Sequence, residues 1–448
     1  MGNIFSVSGT PHWRVRLAQA KTTALLSVLF IVVYGGANWI TSQRSDVGLW
    51  FFEWERNIPF VPLMILPYMS IDIFFVAAPF LCWDEQERRI FAKRVTIAIF
   101  VAGVFFLLVP LRFAFPRPVV SGGLGGIYQF LHGFDQPFNL FPSLHITLQT
   151  ILADKYSRHT KGFLRRVVQI WFSLIGLSTL LTYQHHIIDV IGGFILAAFC
   201  FYFVYEPSSM TPASKNLRVG LYYGMGCAVV LGLSLYLGPW GSLLLWPAFS
   251  LGVVAAAYLG VGPSLYRKKE GRLPLSTQFL LAPFLLGQRL SLLYYRRQGR
   301  PWNEVAPGIL IGQRLSRPEA QRAVSQGITA VLDLTSEFSE TSPFLSTNYL
   351  NLPVLDLTAP TQTQLEKAAA FIQEQSTRGK VYVHCKIGYS RSAAAVGAYL
   401  LKNGLANTAE EAVKFIRGVR PLLIVRPEAL GALHRFRRNF SQSTLTGG

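Results

Sequence analysis

Long apolar runs alternate with short basic segments through the first 265 residues, and after Trp302 the texture changes to short runs of alternating character. About 20 apolar residues in helix bridge the ~30 Å hydrocarbon layer of a bilayer. Runs of that size lie at ALLSVLFIVVYGGANWI (24–40) and near 58–83, 95–115, 167–184, 187–205, 218–238 and 241–264. A shorter, more polar run after His145 sits where the connectivity needs one more crossing, so the pattern predicts eight spans. The first run lacks a small-x-small cleavage site and reads as a retained span. Residues 275–296 are apolar but interrupted by Pro283, Gln288 and Arg289, which predicts a helix lying on the inner membrane face and ending in Arg296, Arg297 and Arg300.

Beyond Trp302 the runs GILIG, ITAVLDL, YLNLPVL and KVYVH read as strands. PEAQRAVSQG, QTQLEKAAAFIQEQ and SAAAVGAYLLKNG read as the helices between them, and Thr408 with Glu411 as a capping box that opens another. That alternation predicts a mostly parallel sheet covered by helices. The fold class is therefore multi-domain, an all-α transmembrane helical bundle followed by an α/β domain. The expected divisions are a membrane domain at 1–265, a basic interfacial linker at 266–301, a soluble domain at 302–438 and a flexible tail at 439–448. Within the membrane domain, a core at about 20–205 is followed by two further spans in 218–264.

Composition sharpens this picture. The 448 residues are 51% hydrophobic and only 15% charged, and 42 Lys and Arg against 23 Asp and Glu give +19. The basic residues cluster between the apolar runs, which fits the positive-inside rule and anionic lipid surfaces and argues against nucleic acid as a partner. Rich segments hold Arg88, Arg89, Lys93 and Arg94; then Lys155, Arg158, Lys161, Arg165 and Arg166; then Lys215 and Arg218; then Arg267, Lys268, Lys269 and Arg272. The alternate connections hold only Arg44 and Arg56, or Arg112 and Arg117. Placing the rich segments in the cytosol, with eight spans, puts both termini there. The four cysteines show no disulfide or zinc spacing.

HCKIGYSRS, His384 to Ser392, carries the clearest chemistry. Cys385 and Arg391 stand six apart between a strand-like and a helix-like run. A loop wound between a strand end and a helix N-terminus turns successive backbone N–H groups inward and cradles an anion. Lys386, Ile387, Gly388, Tyr389 and Ser390 form that loop, and Arg391 would close it with a planar fork matched to two phosphate oxygens. In such a field Cys385 ionises to a nucleophilic thiolate, which also suits a reducing cytosol, and Ser392 can donate a hydrogen bond to the sulfur when it leaves. The plainer alternative is a structural Cys beside a surface Arg. Lys386 adds charge that would suit an anionic headgroup, or is simply a solvated loop lysine.

Residues 302–438 resemble the dual-specificity phosphatases of the cysteine-dependent tyrosine phosphatase superfamily, on the signature His-Cys-x5-Arg-Ser. The resemblance implies a general-acid Asp on a loop roughly thirty residues before the nucleophile. Asp356, in PVLDLTAPT, lies 29 residues before Cys385 and takes that role, with Asp333 as the competitor in a structural position. The stretch LDLTAPTQTQLEKAAAFI is also similar to that of mitochondrial, phosphatidylglycerophosphate-directed members.

A second constellation lies in the spans. FPSLH carries Ser143 and His145, and STLLTYQHHIIDVIGG carries His185, His186 and Asp189. Ionisable residues at membrane depth are costly and mark function. An Asp four residues after a His can orient and charge-stabilise the ring, which can attack phosphorus while a second His protonates the leaving alcohol. Residues 20–205 resemble the type 2 phosphatidic-acid phosphatase superfamily. On that pattern His185 is the nucleophile, Asp189 its partner and His145 the general acid, Ser143 and Arg117 bind phosphate, and His186 is auxiliary. The family's Lys is replaced by Pro110, and its Ser-Arg by Ser178-Thr179. The sphingomyelin synthase and inositol-phosphorylceramide synthase branch shares that lack, so headgroup transfer stands beside hydrolysis. GGLGG at 122–126 reads as an outer loop.

These expectations describe a two-site integral membrane protein of a bacterial inner membrane. An outward histidine site and a cytosolic cysteine phosphatase would act on lipid phosphates, with no metal or cofactor required by either chemistry. The alternatives are a membrane-anchored phosphatase of phosphoproteins, and a bundle that only anchors or binds lipid.

Overall fold

In the computed structural model, residues 12–205 and 215–446 are described, and the chain divides into two compact units, 1–206 and 207–448. The first unit is helical. Helices α1 (His12–Phe30) and α2 (Gly36–Ser42) join through a π-turn into one run of 31 residues. There follow α3 (Ile65–Ala77), α4 (Glu85–Leu108), α5 (Gly123–Phe134), α6 (Leu144–Arg158), α7 (Gly162–Leu181) and α8 (Ile187–Phe203). Phe91, Val95, Ala98, Ile99, Ala102 and Phe106 recur at three- and four-residue steps along α4, so one face of that helix is apolar and packs on α6. They form the unit's core with Leu144, Leu148, Ile151, Phe172, Ile175 and Leu196. Apolar side chains also point outward: Leu25, Val28, Ile73, Ile170 and Phe194 are exposed. A surface of that kind suits a bilayer rather than water.

Six helical runs among the described residues have the length and apolarity to cross a membrane: His12–Ser42, Pro62–Leu81, Glu85–Leu108, Gly162–Leu181, Leu217–Tyr236 and Trp240–Val261. The other two expected spans form helices of 15 and 17 residues, α6 and α8, and are short for a crossing. The run expected at 95–115 is shifted: its helix starts at Glu85, capped by Asp84 accepting from the Glu87 N–H, and stops at Leu108. The basic residues Arg88 to Arg94 therefore lie on helix turns rather than in a loop. GGLGG is also not a loop. It opens α5, because Leu124, Ile127, Tyr128 and Leu131 form a stripe that packs on Ile65 and Tyr68.

The second unit opens with α9 (Leu217–Tyr236) and α10 (Leu245–Ala256), which pack on each other. By contact these two helices group with the C-terminal unit. Their apolar base (Val254, Ala257, Tyr258) shares one cluster with Tyr266, Leu281, Phe284 and Leu355, and so ties them to the α/β domain. The single helix expected over 275–296 is broken at Leu281 into α11 (Leu275–Leu280) and α12 (Ala282–Tyr295), because Pro283 has no N–H for a helical bond to the Phe279 carbonyl and sits in the first turn of α12, where none is needed.

The α/β domain has β1 (Trp302–Ala306), β2 (Ile309–Gly312), α13 (Arg317–Ser325), β3 (Ile328–Thr335), α14 (Ser342–Leu345), β4 (Asn348–Val354), α15 (Gln362–Ser376), β5 (Lys380–His384), α16 (Ser390–Lys402), α17 (Ala409–Val419) and α18 (Pro427–Thr446). The sheet order is β1-β2-β5-β3-β4, parallel except for the β1–β2 hairpin. β1 escapes the sequence reading because WNEVA is a half-exposed edge strand with no clean alternation. Helix α18 runs to Thr446, through most of the expected tail. β5 lies between β2 and β3, so its C-terminal end opens at the middle of the sheet.

Candidate active sites

Val381, Tyr382 and Val383 are fully buried on β5, and the strand delivers Cys385 to the sheet's carboxyl edge, just before α16. The turn between them needs Gly388. Its φ is +71°, and a Cβ there would lie 2.5 Å from the Gly312 carbonyl oxygen. Arg420 donates to the Ile387 carbonyl at 3.0 Å, and the Ser390 hydroxyl accepts from the Arg426 N–H at 3.1 Å. Those bonds hold the back of the loop.

Arg391 is buried and pinned. Its Nη1 and Nη2 reach the two carboxylate oxygens of Glu337 at 3.1 and 2.7 Å, and Nη1 donates to the Val354 carbonyl at 2.8 Å. Nη2 lies 3.2 Å from Asp356 Oδ1. Burial alone would push the Cys385 thiol up. Arg391, the Ser392 hydroxyl and the N–H groups of Ser392 and Tyr389 outweigh it and bring the thiol below its ordinary range.

Asp356 follows β4 on a loop and keeps 27% of its side chain exposed. Burial raises its pKa, but Arg391 and then Lys386 outweigh that, and the carboxyl stays below the usual range. Lys386 Nζ stands 3.5 Å from Asp356 Oδ2 and donates to Gln288 Oε1 on α12 at 2.8 Å. It is buried, so it is not a solvated loop lysine.

Asp333 is committed elsewhere. Its carboxylate accepts from Lys268 Nζ at 2.5 Å, Tyr349 Oη at 2.6 Å and the Thr335 N–H and hydroxyl at 2.7 Å. His384 Nε2 lies 3.1 Å from Glu340 and 3.9 Å from Asp333. Burial disfavours its proton, yet the two carboxylates outweigh burial and raise its pKa. Asp333, Glu340 and His384 have the composition of a metal site. The Lys268 ammonium already occupies the carboxylate edge, and this is a buried ion network that steadies β5.

The histidine site is assembled from distant segments of the first unit. Ser143 caps α6, accepting from the Ile146 N–H, and its own N–H donates to the Asp189 carbonyl at 3.0 Å. Gly193 permits this approach: a Cβ there would lie 2.6 Å from the Ser143 carbonyl oxygen. His145 stacks on Tyr68 at 4.2 Å between centroids. His185 Nδ1 stands 3.6 Å from Asp189 Oδ2, an ion-pair separation too long for a hydrogen bond. Arg117 donates to Gln184 Oε1 at 2.9 Å, one residue before His185. His145 Nε2, His185 Nδ1, Asp189 Oδ1 and Arg117 Nε are all buried without a hydrogen-bond partner among the described residues. Such orphaned groups are rare unless a site uses them.

His186 differs. The Ala114 N–H donates to its Nε2 at 3.1 Å, so its proton is on Nδ1, facing Glu55 Oε2 at 2.9 Å. Both nitrogens are committed. Ser178 and Thr179 donate their hydroxyls to helix carbonyls, which leaves no hydroxyl proton for a phosphate oxygen.

Sequence reasoning missed Glu337, Glu55, Asp135 (which accepts from Tyr34 Oη at 2.6 Å), Tyr68 and Gln184. An acidic residue inside an apolar run, as in FFEWERNIPF, was the available signal for Glu55.

Comparison with known proteins matches residues 312–439 to the dual specificity phosphatase catalytic domain and residues 61–203 to the PAP2 superfamily. The chain is 30% identical to the human phosphatidylglycerophosphatase and protein-tyrosine phosphatase 1, over 34% of this chain and 81% of that protein. It is 27% identical to the Arabidopsis thaliana phosphatidylglycerophosphate phosphatase PTPMT2, over 36% and 73%. Among solved structures, PTPMT1 in complex with PI(5)P aligns at 26% identity over 32% of this chain and 99% of that one, with a TM-score of 0.30.

Proposed function

We propose, for a chain that belongs to the dual-specificity phosphatases through its C-terminal domain and carries a PAP2-superfamily domain ahead of it, a membrane-bound enzyme that cleaves phosphomonoesters of phospholipid headgroups at Cys385. The Cys385 thiolate attacks phosphorus while Arg391 and the N–H groups of 386–390 hold the phosphoryl oxygens. The S–P bond forms as the P–O bond to the headgroup breaks, and Asp356 gives its proton to the leaving oxygen. A dianionic phosphate on Arg391 offsets the charge that otherwise keeps Asp356 ionised. Water then attacks phosphorus, its proton returns to Asp356, and the sulfur leaves as a thiolate that accepts from Ser392.

The observation that carries the lipid reading is where this machinery is fastened. Tyr258 and Asn216, at the base of two candidate spans, bond the Asp356 loop, and Gln288 bonds Lys386. The lipid phosphatases among the relatives agree with it. The relative also named as a protein-tyrosine phosphatase supports a second reading, in which the substrate is a phosphoprotein.

For the bundle we infer a second phosphoryl site, with His185 as nucleophile, Asp189 beside it, His145 as proton donor, and Arg117 and Ser143 on the phosphate. Its product is free phosphate or a headgroup moved to another alcohol. The multi-pass placement, with Cys385 on the cytosolic side, is inferred from the apolar runs and the distribution of basic residues.

The test is phosphate release by the detergent-purified protein from lipid phosphates and phosphopeptides, with Cys385→Ser and His185→Ala alongside. Turnover of headgroup phosphates lost with Cys385→Ser and kept with His185→Ala is expected; loss only with His185→Ala would place lipid hydrolysis in the bundle. Turnover of phosphopeptides alone, dependent on Cys385, would replace this reading with the second.

A further inference from the structure

The loop that carries Asp356 is not held by the α/β domain alone. The Asp356 carbonyl accepts from Tyr258 Oη at 2.8 Å, and the Leu357 carbonyl accepts from Asn216 Nδ2 at 2.8 Å. Both donors sit at one end of the α9–α10 pair. Asn216 caps α9, its Oδ1 accepting from the Val219 N–H, and its own N–H donates to the Tyr258 carbonyl at 3.1 Å. The two residues form one bracket. Leu355, on the other side of the acid, is buried among Val254, Ala257, Tyr258, Tyr266, Leu281 and Phe284, so every residue from 355 to 357 is tied to the 216–285 segment.

The conformation held there is unfavourable on its own. Leu357 has φ +59°, a left-handed geometry that is unfavourable for a residue with a Cβ and persists only where surroundings over-determine it. The bond from Asn216 falls on that residue's carbonyl. Gly would take that geometry without the penalty; this loop carries Leu, whose carbonyl is held by Asn216 at the base of the α9–α10 hairpin.

We propose that Tyr258 and Asn216 are positioning residues for the general acid: the base of the α9–α10 hairpin sets the Asp356 carboxyl over the Cys385–Arg391 cradle. This rests on the assignment of Asp356 as the acid. It makes proton delivery to the leaving group depend on two helices outside the phosphatase fold. That delivery matters for alcohol leaving groups, such as those of lipid headgroups, and far less for phenols that depart as stable anions.

The experiment uses the full-length, detergent-purified protein carrying His185→Ala, which silences the bundle's own inferred phosphoryl chemistry, and compares it with the same protein bearing Tyr258→Phe, Asn216→Leu, both of these, or Asp356→Asn. Each is assayed on an alkyl phosphate (a diacylglycerol phosphate in mixed micelles) and on p-nitrophenyl phosphate. General acid catalysis contributes about 10²–10⁴-fold, and partial misplacement of the acid is expected to cost the double variant about tenfold or more in kcat on the alkyl ester. The loss on the aryl ester is expected to be several times smaller, reproducing the split of Asp356→Asn. The aryl activity also reports that the cradle is folded, and Tyr258→Phe, which removes one hydroxyl, gives the same comparison if the double variant does not fold. A split in Asp356→Asn but equal losses, or none, in the hairpin variants overturns the proposal. No split in Asp356→Asn overturns the acid assignment, and the proposal with it.

Discussion

The two proposed phosphate sites are built in opposite ways. The proposed cysteine cradle is almost entirely one stretch, Cys385 to Ser392, whose backbone would make the anion site and whose side chains would supply nucleophile and fork. The proposed histidine site draws on Arg117, on Ser143 and His145, and on His185 and Asp189, from three separate segments, and His185 Nδ1 stands 3.6 Å from Asp189 Oδ2. A cradle made of consecutive N–H groups survives as long as the turn does. A site made from side chains on different helices depends on every helix that faces it.

That contrast can be broken or sharpened by substitution. Cys385→Ser replaces a thiolate held below its usual pKa with a hydroxyl that stays neutral, and turnover of phosphomonoesters at this site should fall by about 10³-fold or more, read as phosphate release. His185→Ala should remove the bundle's own phosphoryl chemistry, by about 10²-fold or more, with transfer assayed beside hydrolysis. His186→Ala, one residue on, should leave that chemistry measurable while lowering the thermal midpoint, because Glu55 loses its partner. Equal loss of activity in the two histidine variants would sink the distinction.

Glu337→Gln strips Arg391 of its bidentate partner and leaves a buried guanidinium short of a counter-charge. A loss of about 3 kcal/mol in unfolding free energy is expected, with slower turnover. No change in either would mean that the Asp356 contact suffices. The smallest effect concerns pH. Lys386 is one of two cations holding Asp356 below the usual range, so Lys386→Met lets that pKa rise and the acid stays protonated to higher pH. The alkaline limb of kcat/KM should therefore move upward. A downward move would exclude the assignment.

Element types were readable where the pattern was strong: four of the five strands, the helices between them, the capping at Thr408, and the apolar runs of the spans. Boundaries failed where packing competes with pattern. Basic residues before the third span wind into helix α4, since Asp84 caps it early. The glycines at 122–126 become helical because a stripe of Leu, Ile and Tyr follows them.

The sequence by itself determined the cradle, because a strand, a Gly-containing turn and a helix N-terminus place Cys385 and Arg391 by local geometry alone. It also determined that much of the chain is built for a bilayer, since apolar length is a local property. Only the tertiary structure decided what holds these groups in place. Glu337, 54 positions from Arg391, fixes its fork, and Lys268 neutralises Asp333 across 65 positions. Tyr258 and Asn216 reach Asp356 and Leu357 from 98 and 141 positions away. Such partners are set by how helices pack against a sheet edge, and no spacing along the chain encodes that distance.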